Sequence, residues 1–352
     1  MTSTDPQPLP PDALARGSHS VPEAYLKGWA VEPGKVWCYR LLVPHDNYPV
    51  WKLRSTARLT RYTDLYTSSF WGTESDSFER WLNEEIEQPA VEPLAKVRAD
   101  VPLVADDWKR LARYAAALDV RTPASYLEQK DRWVREVPIT LKQTMTNLES
   151  RLRRAIKRGE VPTKPPATSE AFPIKVTLGP AEAGKVPVRA EVVMGREMWL
   201  WSQRHLLTNT AEVLAKHQWV VLKPHPGSAW FTSDHPRLRL NFYSPERYDF
   251  GGGWGNKGTE LILPLSPEHL MYTKIGSKWK GATVLSPEHT LQFQRFVSER
   301  AHRWIIASGK PMRAEMFRPR RVDLDAFRSE KHAWKLWHPR NREVELGPAS
   351  DI

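Results

Sequence analysis

The sequence predicts an α+β protein, with an antiparallel sheet contributed from both ends of the chain around a largely helical middle. Three observations carry that prediction. Runs of β-branched and aromatic residues gather in two regions, residues 36–66 and 219–274, as short strands require. Between them apolar residues recur at helical spacing, as Phe78, Trp81, Leu82 and Ile86 do. The third is composition: 40% of the 352 residues are hydrophobic and 16 are Trp, enough for a substantial packed core.

Taken in order, residues 1–17 are polar and Pro-rich, without the apolar stretch of a secretory signal, and read as a disordered lead-in. One domain is expected over residues 18–310, with residues 311–352 as a basic, Trp-containing extension. Pro22 and Glu23 suit a first helical turn and Gly28 a stop, so a short helix opens the fold. Residues 36–42, 50–53 and 61–66 read as three strands of a small antiparallel sheet. Ser75 or Asp76 is a fair N-cap for the next helix. Pro89 and Pro93 should kink or split that helix, because each removes a backbone donor.

Further helices are expected from Trp108 to a stop near Arg121-Thr122-Pro123, and from Pro123 to the basic cluster at residues 151–158, whose cations suit a helix C-terminus. Six prolines between residues 159 and 188 mark a linker or long surface loop. Residues 191–217 read as an amphipathic helix. Strands follow at residues 219–222, around Phe231, and at 238–242, 260–264 and 269–274. Residues 251–256 form a Gly-rich loop without a phosphate-binding fingerprint. Ser-Pro-Glu-His occurs at residues 266–269 and 286–289, each time offering a Ser cap with Pro at the first helical position. Only the second precedes an apolar stripe, Leu291, Phe293, Phe296 and Val297.

The formal charge is +11, from 52 Lys and Arg against 41 Asp and Glu. Such an excess favours a polyanionic partner and concerns association, not fold; scattered surface arginines would account for it equally well. In the extension, Arg320, Arg321 and Trp334 suit single-stranded nucleic acid through phosphate charge and base stacking, although Asp323, Asp325, Glu330 and Glu343 dilute the field. No run approaches the roughly 18–20 apolar residues that span a bilayer, so no membrane partner is expected and the cytoplasm is the expected compartment. Cys38 is the sole cysteine, which excludes an intramolecular disulfide and a thiolate-rich zinc site.

The stretch Trp230-Phe231-Thr232-Ser233-Asp234-His235-Pro236 reads as a short buried strand that delivers two hydroxyls and a carboxylate to its end. Pro236 keeps His235 extended. Asp234 is then either a group presented on a rigid base or a cap for local backbone N–H groups. His19, just before the first helix, is a ligand or general base if it points inward, and otherwise a hydrogen-bonded structural histidine. An enzyme reading gathers His19, Asp234, Glu84 (or Glu79 or Glu87) and Arg121 into one cleft. Carboxylates with an imidazole suit divalent-metal hydrolysis of a phosphodiester, the Arg stabilising developing charge. No HExxH or GxSxG signature supports it, and no cofactor is assigned. Binding roles fall to Thr232, Ser233 and His235 on the strand and to Arg320, Arg321 and Trp334 in the extension. A non-catalytic module would present a contiguous basic and aromatic face; a small-molecule sensor would need an apolar pocket lined by tryptophans.

Several stretches together resemble the bacterial domain-of-unknown-function 4238 family. They are His19-Ser20-Val21-Pro22 with Tyr25-Leu26, acidic residues around 79–87 on a helix, Arg121-Thr122-Pro123, and above all Phe231-Thr232-Ser233-Asp234-His235-Pro236. Leu263-Pro264-Leu265-Ser266 and Ala301-His302-Arg303-Trp304 follow in order, so the likeness covers most of residues 18–308. His235 departs from the family pattern, where an Asn-like residue is usual. The resemblance implies a soluble α+β bacterial protein and supplies no reaction.

Overall fold

The computed structural model describes residues 14, 16–70, 72–159, 172–178 and 188–346. The lead-in expected over 1–17 falls outside them save for residues 14, 16 and 17, and Gly17 opens the first strand. The two β regions are joined. A four-stranded antiparallel sheet runs in the order Trp51–Ser55, Lys35–Arg40, Trp304–Ala307, Thr232–Ser233. Its central pair sets Cys38 opposite Ile306, both buried, so early and late chain segments share one core.

The second sheet has five antiparallel strands, Arg247–Asp249, Leu238–Ser244, Glu260–Pro264, Leu270–Lys274 and Val220–Leu222 in that order. Glu260–Pro264 lies at its centre and every residue in it is buried, which explains its nearly unbroken apolar run. The helix Pro287–Arg300 covers this region with Phe293 edge-on to Trp230 and Tyr272. Its start is the cap that the sequence describes: Ser286 accepts from the His289 backbone N–H. The other Ser-Pro-Glu-His starts no helix. Pairing of Pro264 with Leu270 closes a hairpin over it, and the Ser266 hydroxyl meets His269 Nδ1 at 2.8 Å.

Three further expectations are corrected. Arg61–Thr63 pairs with Gly17–His19, not with the neighbouring strand, because the short helix Thr56–Leu59 turns the chain away. Of the kink or split expected at Pro89 and Pro93, the split does not occur. Ser77–Leu82 passes through a π-helical turn, Asn83–Glu87, into Gln88–Arg98. That wide turn holds the residues whose carbonyls a normal amide at position 89 would have engaged, so the missing donor is absorbed there. Finally, residues 188–192 are not helical. Val188–Val192 pairs with Ile174–Leu178 in a hairpin, and the helix begins only at Arg196, behind Gly195 at φ 124°, a conformation that favours glycine.

Ala105–Val120 and Pro123–Lys157 form the helical middle. Ala112, Ala115, Ala116 and Ala117 are buried, so the small side chains let neighbouring elements approach this helix closely. The extension folds as Met312–Phe317, Arg321–Val322, Leu324–Lys335 and Trp337–Leu346. No helix among the described residues is long and apolar enough to cross a membrane.

Candidate functional site

Asp234 follows the strand Thr232–Ser233 and is 4% exposed. Its carboxylate reaches across to the chain leaving the helix Pro287–Arg300 instead of capping its own turn. Oδ1 accepts the backbone N–H groups of His302 (3.1 Å), Arg303 (3.0 Å) and Trp304 (3.2 Å), and Oδ2 accepts from Arg303 at 3.1 Å. Charge-assisted bonds of this kind are strong, and they fix the turn that presents His302 and Arg303. The neighbouring hydroxyls are also engaged. Thr232 Oγ1 meets the Tyr25 hydroxyl at 2.7 Å, and Ser233 Oγ accepts from the His235 backbone N–H at 3.1 Å. His235 Nδ1 lies 2.6 Å from Thr122 Oγ1, and complete burial holds its ring pKa well below the usual imidazole range.

His19, Arg121, Glu79 and Glu87 do come together. Arg121 is buried at the junction of two helices. Its Nη2 donates to the His19 carbonyl at 2.6 Å, its Nη1 pairs with Glu87, and its Nε approaches the Tyr66 hydroxyl at 3.4 Å. Tyr66 returns a bond to the Arg121 carbonyl at 2.6 Å. Glu79 keeps a little accessible surface, yet its Oε2 is buried without a hydrogen-bond partner. Burial pushes its carboxyl up to about 7, opposed by the Arg121 charge. The His19 ring turns toward the Ala57 carbonyl at 3.0 Å, and burial lowers its pKa. Glu84 is exposed and Asp234 makes none of these contacts. Among the described residues no three His, Cys, Asp or Glu side chains are placed to hold a metal ion.

The extension adds what sequence reasoning missed. Arg196 (0% exposed) and Glu345 (1%) form a fully buried two-bond pair, Nε to Oε1 at 2.8 Å and Nη2 to Oε2 at 2.6 Å. The Arg196 backbone N–H donates to Asn341, Trp337 Nε1 donates to the Leu65 carbonyl, and His338 Nδ1 meets Arg196 Nη1 at 2.9 Å. No local pattern marks these partners, because 149 positions separate Arg196 from Glu345.

The docked extension borders an open cavity of about 540 Å³ against the helix Pro123–Lys157 and the approach to Arg196. Tyr126, Trp133, Trp334 and Trp337 line it. Tyr126 stands edge-on to Trp337 at 4.9 Å, and Trp334 lies 5.4 Å from Trp337. Leu127, Val134, Met194 and Val344 add apolar wall. Lys130 and Arg340 also line it; both are exposed and neither has an ion-pair partner among the described residues. His302 and Glu330 line it as well. Glu330 Oε1 accepts from Arg40 at 2.5 Å and from Arg303 at 2.7 Å. Asp234 thus supports this cavity at one remove, by holding the turn that carries His302 and Arg303.

The remaining arginines proposed for binding are engaged within the fold. Arg320 donates to the carbonyls of Tyr48 (2.6 Å) and Asp46 (2.7 Å), and Arg321 pairs with Asp323. Of the extension's three candidates only Trp334 lines the cavity.

No curated protein and no solved structure matches this chain. The family model described as a protein of unknown function (DUF4238) matches residues 18–311, which cover the joined sheet, the Arg121 cluster and Asp234 but leave out the helices that carry Trp334 and Trp337. The chain belongs to the DUF4238 family.

Proposed function

We propose that the protein is a ligand-binding or sensing protein whose cavity between the helical middle and the extension takes a planar aromatic molecule with an anionic group, the chemistry of a nucleotide. One observation carries this reading: four aromatic rings line the same cavity as two cations that have no ion-pair partner among the described residues. Its volume of about 540 Å³ sits within the range of small-molecule sites, about 300–1,000 Å³. The rings supply stacking and edge contacts, while Lys130 and Arg340 supply charge for a phosphate. Tryptophan fluorescence, titrated with nucleosides, nucleoside phosphates and short single-stranded oligonucleotides, tests it. Saturable quenching that requires the phosphate and weakens in Trp334→Ala and Lys130→Ala supports the reading. Tighter binding of oligonucleotides than of mononucleotides would shift it to nucleic acid, and no response to any of them would remove it.

A second reading, hydrolysis of a phosphodiester, is favoured by the near-neutral Glu79 carboxyl beside Arg121, because a general acid or base works best with a pKa near the working pH. Cleavage of labelled DNA and RNA, with and without Mg²⁺ or Mn²⁺, lost in a folded Glu79→Gln variant, would support it. Absence of cleavage under all conditions would leave the cluster with a structural role.

A further inference from the structure

A second cavity, of about 240 Å³, lies along the body of the helix Arg196–His205, whose approach at Met194 and Gly195 lines the aromatic one. Its composition differs. Ser68, Thr73, Ser75 and Ser77 bring four hydroxyls, Glu197 a carboxyl, and Tyr66, Phe78 and Trp201 aromatic surface, with Arg204 also present. Ser68 donates to Glu197 Oε2 at 2.5 Å and accepts from the Phe70 backbone N–H. Ser75 Oγ accepts from the Ser77 backbone N–H, which leaves its own proton available. Thr73 and Ser77 make no side-chain hydrogen bond among the described residues. Glu197 Oε1 is likewise unengaged among them, and the residue is buried.

We propose that this cavity binds a neutral polyhydroxylated ring of monosaccharide size. Hydroxyls that both donate and accept, beside a carboxyl, match the alternating donors and acceptors of a sugar. The C–H face of a pyranose is apolar and packs on an aromatic wall. Four hydroxyls outnumber the one carboxyl and one guanidinium in the lining, which favours a neutral polyhydroxylated ligand over an ion. Space is adequate: an engineered cavity of about 150 Å³ admits benzene, and this one is larger. Burial also pushes the Glu197 carboxyl up to about 7, so near neutral pH it is available in both donating and accepting forms.

Saturation-transfer NMR and calorimetry on the full chain, with a panel of neutral hexoses, pentoses and inositol at millimolar concentration, test the proposal. At least one member should bind, roughly tenfold more weakly in Glu197→Gln, and binding should vanish in Ser77→Phe, which fills the cavity from an exposed position and whose folding is checked by thermal melts. Failure of the whole panel, or binding that survives Ser77→Phe, would overturn the assignment. Neither result bears on nucleotide binding, which is read from Trp334→Ala and Lys130→Ala.

Discussion

The Arg121 cluster and the aromatic cavity are built from similar residues and use them in opposite ways. At Arg121 a buried guanidinium is held by Glu87, the His19 carbonyl and Tyr66, which ties three distant segments and presents no cation to solvent. At the cavity, Lys130 and Arg340 stand exposed beside aromatic rings, of which Trp337 turns its Nε1 inward to the Leu65 carbonyl. The difference teaches that capacity to bind lies in donors the fold leaves unengaged. A net charge of +11 does not reveal which donors those are.

The largest test is to remove what holds the extension in place. Glu345→Ala strands a fully buried guanidinium, so it should cost about 3–5 kcal/mol, lower Tm sharply and abolish ligand binding with it. Asp234→Ala leaves three backbone N–H groups without their acceptor and should cost about 2 kcal/mol in denaturant unfolding; it should also weaken ligand binding, because the turn carrying His302 loosens. An unchanged midpoint would remove Asp234 from the support of the cavity. Trp334→Ala should cost about 1–3 kcal/mol of nucleotide affinity, the range for loss of one stacking partner, while global stability falls less than in Glu345→Ala.

A pH measurement sharpens the other side of the comparison. In the folded state Glu79 titrates at about 7, above its ordinary value of 4.5, so the native state binds more protons between these values. Its contribution to stability is complete below pH 4.5 and is lost as pH rises through about 7. Glu79→Gln should therefore flatten the fall in stability across that window, and an identical slope in the variant would refute the assignment. The smallest effect belongs to Lys130→Ala, whose exposed charge should change nucleotide affinity only two- to fivefold or so, and less at high salt.

Much of the fold was legible because periodicity reports burial. Glu260–Pro264, Ala105–Val120 and Pro287–Arg300 each show their pattern within a few residues. Identical local signals could still have two outcomes. Ser286 caps a helix while Ser266 sits in a hairpin turn, since strand pairing on both sides decides the second case. Among the site residues, their chemistry marks out His19, Arg121 and the carboxylates of residues 79–87 in the sequence. The structure groups His19, Glu79 and Glu87 around Arg121. Asp234 stands out because it lies at a strand end; its true partners are the backbone N–H groups of His302, Arg303 and Trp304, and nothing local in the sequence pairs them with it.

By itself the sequence determined the α+β class, the positions of most helices and strands and the membership of residues 18–311 in one family, because these depend on local spacing and local chemistry. Only the tertiary structure decided that the extension docks through Arg196 and Glu345, and that Trp334 and Trp337 line one cavity together with Tyr126 and Trp133. Those contacts join residues far apart in the chain. Their energy comes from burial and pairing across space, which no window of sequence contains.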